Sequence, residues 1–158
     1  MMKHPLIALV LTLGATLPAL ADTLACPDPV DAAQVGTCPS EDELKYTFTG
    51  YCSDNARMYG KDTDTCTSFR NYRKLKNVAL WESKDGAFQA YISCDLPEGA
   101  LKNLKPVSIA VTKQGKLTRL ACRYSEGVTF THRSKAQCKV QGDGNCAADP
   151  AACKASCD

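Results

Sequence analysis

Histidine is nearly absent from this chain: its 158 residues hold two, His4 and His132, and His4 falls in a stretch that reads as removable. That leaves His132 alone for histidine-based triad or metal chemistry, which draws on several convergent groups. Cys-x-x-Cys is missing, which removes the common zinc-site spacing and the two-residue spacer of thioredoxin-like redox sites. There is no Gly-x-Ser-x-Gly elbow and no Ser-x-x-Lys, so neither usual route to an activated serine has its motif. No metal and no cofactor is expected. Beyond the first two dozen residues, no run approaches the ~20 apolar residues of a membrane span, and none is expected.

What the chain has in quantity is cysteine: Cys26, Cys38, Cys52, Cys66, Cys94, Cys122, Cys138, Cys146, Cys153 and Cys157. All follow an export-type start, in which Lys3 and His4 supply the basic end, Pro5 to Leu20 is apolar, and Ala19-Leu20-Ala21 is a small-x-small cleavage site. Residues 1–21 therefore read as a signal peptide cleaved near Ala21, and the mature chain as periplasmic or secreted, where thiols oxidise. Thr23-Leu24-Ala25-Cys26 offers a lipid-attachment reading at Cys26, against which the parity of the cysteines argues, since it would leave one unpaired. Bridges contribute ~2–4 kcal/mol each, against ~5–15 kcal/mol for the net stability of an ordinary domain. Ten cysteines pair in about nine hundred ways; spacing suggests the local pairs Cys26–Cys38 and Cys52–Cys66.

The rest of the chain reads as one α+β domain. Residues 22–76 form a Cys-bridged arm with short helices and a loop, 77–141 an antiparallel meander of five to six strands, and 142–158 a Cys-rich tail. Ser40, followed three positions later by Glu43, marks a helix entrance. Tyr46 to Tyr51 alternates aromatic and threonine in a strand-like way, residues 53–66 form a polar loop, and Cys66 to Lys76 reads as a basic helix. Asp85-Gly86 between two apolar runs predicts a hairpin, with Phe88, Ala90, Ile92 and Cys94 on one face and Gln89, Tyr91 and Ser93 on the other. A second hairpin turns at Lys113-Gln114-Gly115. It puts Val107, Ile109, Val111, Leu120, Cys122 and Tyr124 inward and leaves Arg119 and Arg123 outside. A strand from Val128 to Arg133 follows, with Ala136 to Gln141 pairing back on it. Cys94 and Cys122 both point inward but would sit two strands apart, beyond a bridge's reach. Asp149-Pro150 predicts a helical turn carrying Cys153 and Cys157 on one face.

Charge is segregated. Residues 22–64 carry nine acids against three bases, and residues 65–140 carry fourteen bases against five acids. Either the acidic segment lies over the basic middle, or the middle exposes a basic surface to an anionic partner. Arg119, Arg123 and Arg133 take the outward phase of neighbouring strands, with Lys135 close by and Lys113, Lys116 and Lys139 near in sequence. These are the candidate binding residues. Aromatics interleaved with the arginines are not read on that face, so nucleic acid is not expected as a partner; a protein or an anionic envelope component is.

Catalytic candidates are weaker. His132 follows Val128 and Phe130 on the core phase and reads as a structural histidine at the sheet edge. Glu41, Asp42, Glu43, Glu82, Asp85 and Glu126 supply carboxylates for a sugar-hydrolase pair, which sequence alone does not bring together; capping and turn duties account for Glu41 to Glu43 and Asp85. Asp143, Asn145 and Asp149 lack the regular spacing of a calcium loop and read as a turn.

With Cys26-Pro27, Trp81 beside the Asp85-Gly86 turn, and Cys122-Arg123-Tyr124, the chain resembles a group of small uncharacterised periplasmic proteins of Gram-negative bacteria. These have a Cys-Pro mature start, a tryptophan hairpin and a Cys-x-Tyr strand. The resemblance spans residues 70–140 and departs at 52–66 and 146–157. It implies an envelope location and an antiparallel sheet, and it carries over no catalytic residue. The sequence thus points to an exported, disulfide-rich binding module of protein-binding or inhibitory type, not an enzyme. The alternatives are an envelope-polymer hydrolase and a secreted effector or surface-assembly component.

Overall fold

The computed structural model describes residues 22–97 and 99–158. The signal-peptide expectation for residues 1–21 lies outside the described residues. Among those described, no helix is long and apolar enough to cross a membrane.

The chain is α+β and holds two antiparallel sheets. It opens with strand β1 (Asp22–Ala25), a 3-10 turn at Pro29–Asp31 and the two-residue strand β2 (Ala33–Gln34). Helices α1 (Glu41–Cys52), α2 (Asn55–Met58), α3 (Thr63–Cys66) and α4 (Phe69–Lys76) follow as one unit. Ser40 Oγ accepts from the Glu43 N–H at 3.2 Å, the expected cap. The strand-like reading of Tyr46 to Tyr51 is overturned: the segment is the second half of α1. There the i, i+4 spacing of Leu44, Phe48 and Cys52 outweighs the local alternation. Phe48 packs edge-on against Phe69 and Tyr72, at centroid distances of 5.6 and 5.2 Å, which joins α1 to α4. The polar segment 53–66 is not a plain loop but two short helices, and Cys52–Cys66 does close it.

Strands β3 (Val78–Glu82), β4 (Gln89–Ser93), β5 (Pro106–Gln114), β6 (Leu117–Tyr124) and β7 (Thr129–Ser134) form both predicted hairpins. Gly86 and Gly115 supply the positive φ that the turns need. The sheet order is β2-β3-β4-β7-β6-β5, so the meander expectation is corrected. β7 inserts between the hairpins, and β4 meets it at a single register pair, Gln89 with Thr131.

Strands β8 (Cys138–Val140) and β9 (Lys154–Cys157) complete the element list. The segment at 136–141 does not pair back on β7: β8 joins a second sheet, in the order β1-β9-β8. Nor is the tail a helix. Asp149 caps one 3-10 turn, Pro150–Ala152, and β9 then becomes the central strand of the small sheet, because strands from both ends of the described chain offer it backbone partners. Ala155 and Cys157 of that sheet pack into a core with Ile109, Leu120, Cys122 and Phe130 of the large one. The small sheet thereby covers the inward face of the large sheet.

Five disulfides close the structure, and every described cysteine is paired. Cys26 does not pair locally with Cys38; it reaches Cys122, 96 positions away, inside the core. The thiol that a lipid reading would need is thereby consumed. Cys38 binds Cys94, Cys138 binds Cys157 directly across β8 and β9, and Cys146 binds Cys153. The arm's cysteines sit opposite sheet positions that the order of the strands brings to them, which no spacing rule encodes.

Candidate functional site

Strand phase divides the large sheet into two faces. Ala79, Ile92, Ile109, Leu120, Cys122 and Phe130 point inward and are buried. Tyr91, Thr129, Thr131, Arg133, Arg119 and Arg123 point outward, and of these Tyr91 is 72% exposed. The small sheet lies on the other side, so this outward face is open to solvent.

On it, the structure brings Arg119 and Arg133 together as directly opposed cross-strand residues of β6 and β7. Cβ atoms in such pairs stand about 4.5–5.5 Å apart, and like charges there oppose folding. The ion pairs among the described residues use Lys45, Arg57, Arg73 and Lys84, and none uses Arg119, Arg123 or Arg133. The acidic segment does reach the basic middle, but only at Arg73, which binds Glu41 at 3.0 Å, and at Lys84, 4.0 Å from Asp31. Arg123 and Arg133 are exposed and Arg119 is half-buried.

Not all predicted members converge. Arg123 shares the face but lies toward the other end of β6, opposite Thr129. Lys135 is exposed just past the end of β7, and Lys139 belongs to the small sheet. Lys113 falls on the inward phase at the end of β5, opposite Thr118.

Where β4 and β7 diverge, the outward face dips into a depression of about 290 Å³ lined by Tyr91, Thr129, Thr131, Arg119 and Arg133, with Gln89 and Gly127. Two guanidinium groups, two threonine hydroxyls and a phenol on a rigid floor suit a carboxylate- or phosphate-bearing surface, since the planar guanidinium matches such groups bidentately. Tyr91 is the member that sequence reasoning missed. Its outward phase was readable, but its place beside the arginines depends on the β4–β7 contact.

Several of the catalytic candidates make structural contacts. His132 Nδ1 donates to the Ala87 carbonyl at 2.7 Å, with its ring 5.4 Å from that of Phe88. β7 is an interior strand, so the expected position of this histidine at the sheet edge is corrected. Asp85 accepts from the Ser83 hydroxyl at 2.5 Å and the Ala87 N–H at 3.0 Å, bonds that hold its carboxyl below the usual carboxylate range. Glu41 binds Arg73, Asp42 binds Lys45, and Glu82 accepts from Gln89. Asp143, Asn145 and Asp149 each accept from a backbone N–H two residues on, as turn residues do. Compared with known proteins, the chain matches no family model, no curated protein and no solved structure.

Proposed function

We propose that this protein works outside the cytosol as a rigid binding module, docking the arginine face onto an acidic surface of a protein partner and inhibiting it by occlusion. Export is supported by the five bridges, which need an oxidising compartment to form and persist. The observation that carries the binding reading is the opposed pair Arg119 and Arg133, held against each other with no ion pair to an acid among the described residues. A fold tolerates such a pair at a cost, and an anionic partner removes that cost. Arg and Tyr beside each other on an open face are also the side chains that concentrate binding energy in protein interfaces.

The test uses immobilised native protein and three probes: a polyglutamate peptide, inorganic polyphosphate, and anionic phospholipid vesicles. Retention of polyglutamate that weakens with salt and falls about tenfold or more in R119E/R133E supports an acidic protein surface. Preference for polyphosphate or vesicles would move the partner to an envelope polymer or membrane. Affinity unchanged in the variant would remove the proposal.

A further inference from the structure

On the inward face of the same sheet, at the β2–β3 margin, lies a cleft of about 380 Å³. The small sheet packs toward β5, and β2 is two residues long, so the inner side of β3 and β4 is flanked by the 3-10 turns at Pro29–Asp31 and Ala100–Asn103, which touch each other, and by Cys38, Leu96 and Pro97. The cleft walls are mostly apolar, with Ala79 and Trp81 on β3, Ile92 on β4, and Val30 and Leu101 on the turns. Among the described residues Lys102 is the single charged one in the lining; it is exposed and takes part in no ion pair among them. Trp81 is only partly buried.

We infer that this cleft binds an amphiphilic monoanion of the fatty-carboxylate class, with the alkyl chain against Trp81, Ala79 and Ile92 and the carboxylate at Lys102. Three observations select that occupant. The walls are largely apolar, with Gln34 and Ser93 as the polar side chains besides Lys102 in the described lining, and the rim carries one cation that forms no ion pair among the described residues, so an apolar body with one negative head is complementary in both respects. The volume lies within the range of small-molecule sites, and at roughly 30 Å³ per water-sized group it admits about a dozen such groups, the size of a medium-length chain. The two flanking turns and the Cys38–Cys94 bridge at the rim fix the cleft in place, so little ordering is needed on binding. The inference does not rest on the arginine face, which lies on the opposite side of the sheet.

Trp81 is the only tryptophan of the chain and lines the cleft, so it reports directly on occupancy. Native oxidised protein is titrated with hexanoate, octanoate and decanoate below their micellar concentrations, and with decanol. The expected result is a saturable shift of the tryptophan emission, with affinity rising about fourfold per added methylene until the cleft is filled. Lys102→Glu is expected to weaken decanoate about tenfold or more while leaving decanol unchanged. Ala32→Phe, which narrows the cleft from a partly exposed wall, is expected to abolish binding by calorimetry; should that variant fold poorly, Lys102→Glu on its exposed turn stands alone. No saturable emission change, or an affinity indifferent to both chain length and Lys102→Glu, would overturn the inference. So would a concentration-dependent dimer that shifts Trp81 without any carboxylate, which would assign the cleft to a second copy of the chain.

Discussion

The Tyr124 hydroxyl on β6 donates to the Pro27 carbonyl, 97 residues earlier in the chain, right beside the Cys26–Cys122 bridge. The two links pin the N-terminal arm to the centre of the large sheet, one through a covalent bond and one through a buried phenol. Burial first, and the Asp28 carboxylate second, push the Tyr124 hydroxyl above its ordinary value of 10.0.

Tyr124→Phe leaves the Pro27 carbonyl without its donor, and the expected loss is about 1–2 kcal/mol in urea denaturation. The raised pKa has a definite sign: the unfolded phenol ionises first, so the contribution is complete below pH 10.0 and declines as pH rises toward the folded value. Denaturation midpoints across the alkaline range should fall more steeply in the native protein than in the Phe variant.

Arg133→Thr removes one of two opposed like charges, and it should stabilise the isolated protein by about 0.2–1 kcal/mol. The same substitution should weaken polyglutamate retention. A variant that gains stability and loses binding separates a functional arginine pair from a merely tolerated one, and thermal melts with binding isotherms on the same samples measure both.

Asp95 holds the Arg73 guanidinium with two bonds of 2.6 and 3.0 Å, and Arg73 also binds Glu41. The Arg73 contact, followed by one from Asn77, lowers the Asp95 carboxyl below its ordinary range. A depressed carboxylate stabilises the fold above the unfolded pKa and loses that effect as pH falls through the folded one. Both side chains are substantially exposed, so the effect is small and screened by salt. Asp95→Asn should flatten the acid limb of the stability curve at low salt, and leave it unchanged at high salt.

Removing Cys52–Cys66 opens a short loop inside the helical unit, whereas removing Cys26–Cys122 opens one of 96 positions that ends in the core. Chain-entropy reasoning assigns about 3 kcal/mol to a loop of some 15 residues and more to the longer one. C52S/C66S should lose amide protection in α1 and α4 while β6 and β7 keep theirs. C26S/C122S should lower protection across the large sheet. Hydrogen exchange followed by peptide mapping distinguishes the two patterns.

Much of the sheet was readable because its signals are local. Asp85-Gly86 lies between its own two strands, and the alternation of Phe88, Ala90 and Ile92 states which face is buried. The Ser40 cap needs only Glu43. Tyr46 to Tyr51 misled for the same reason: an alternation over six residues is a local signal, and it yielded to the packing of Phe48 and Tyr72 across two helices. The binding face was half readable. The outward phase of Arg119, Arg123 and Arg133 follows from alternation, but the direct opposition of Arg119 and Arg133 is a matter of register, and the arrival of Tyr91 is one of strand order.

The amino-acid order by itself determined the oxidised character of the chain, its two hairpins and the faces of their strands, because cysteine content, turn chemistry and side-chain alternation act over a few bonds. Tertiary structure alone decided which cysteines meet, that β7 enters between the hairpins, and that both termini of the described chain share a small sheet. Those are outcomes of backbone groups and apolar faces finding partners across the whole molecule, and the best partner for Cys26 lay 96 residues away.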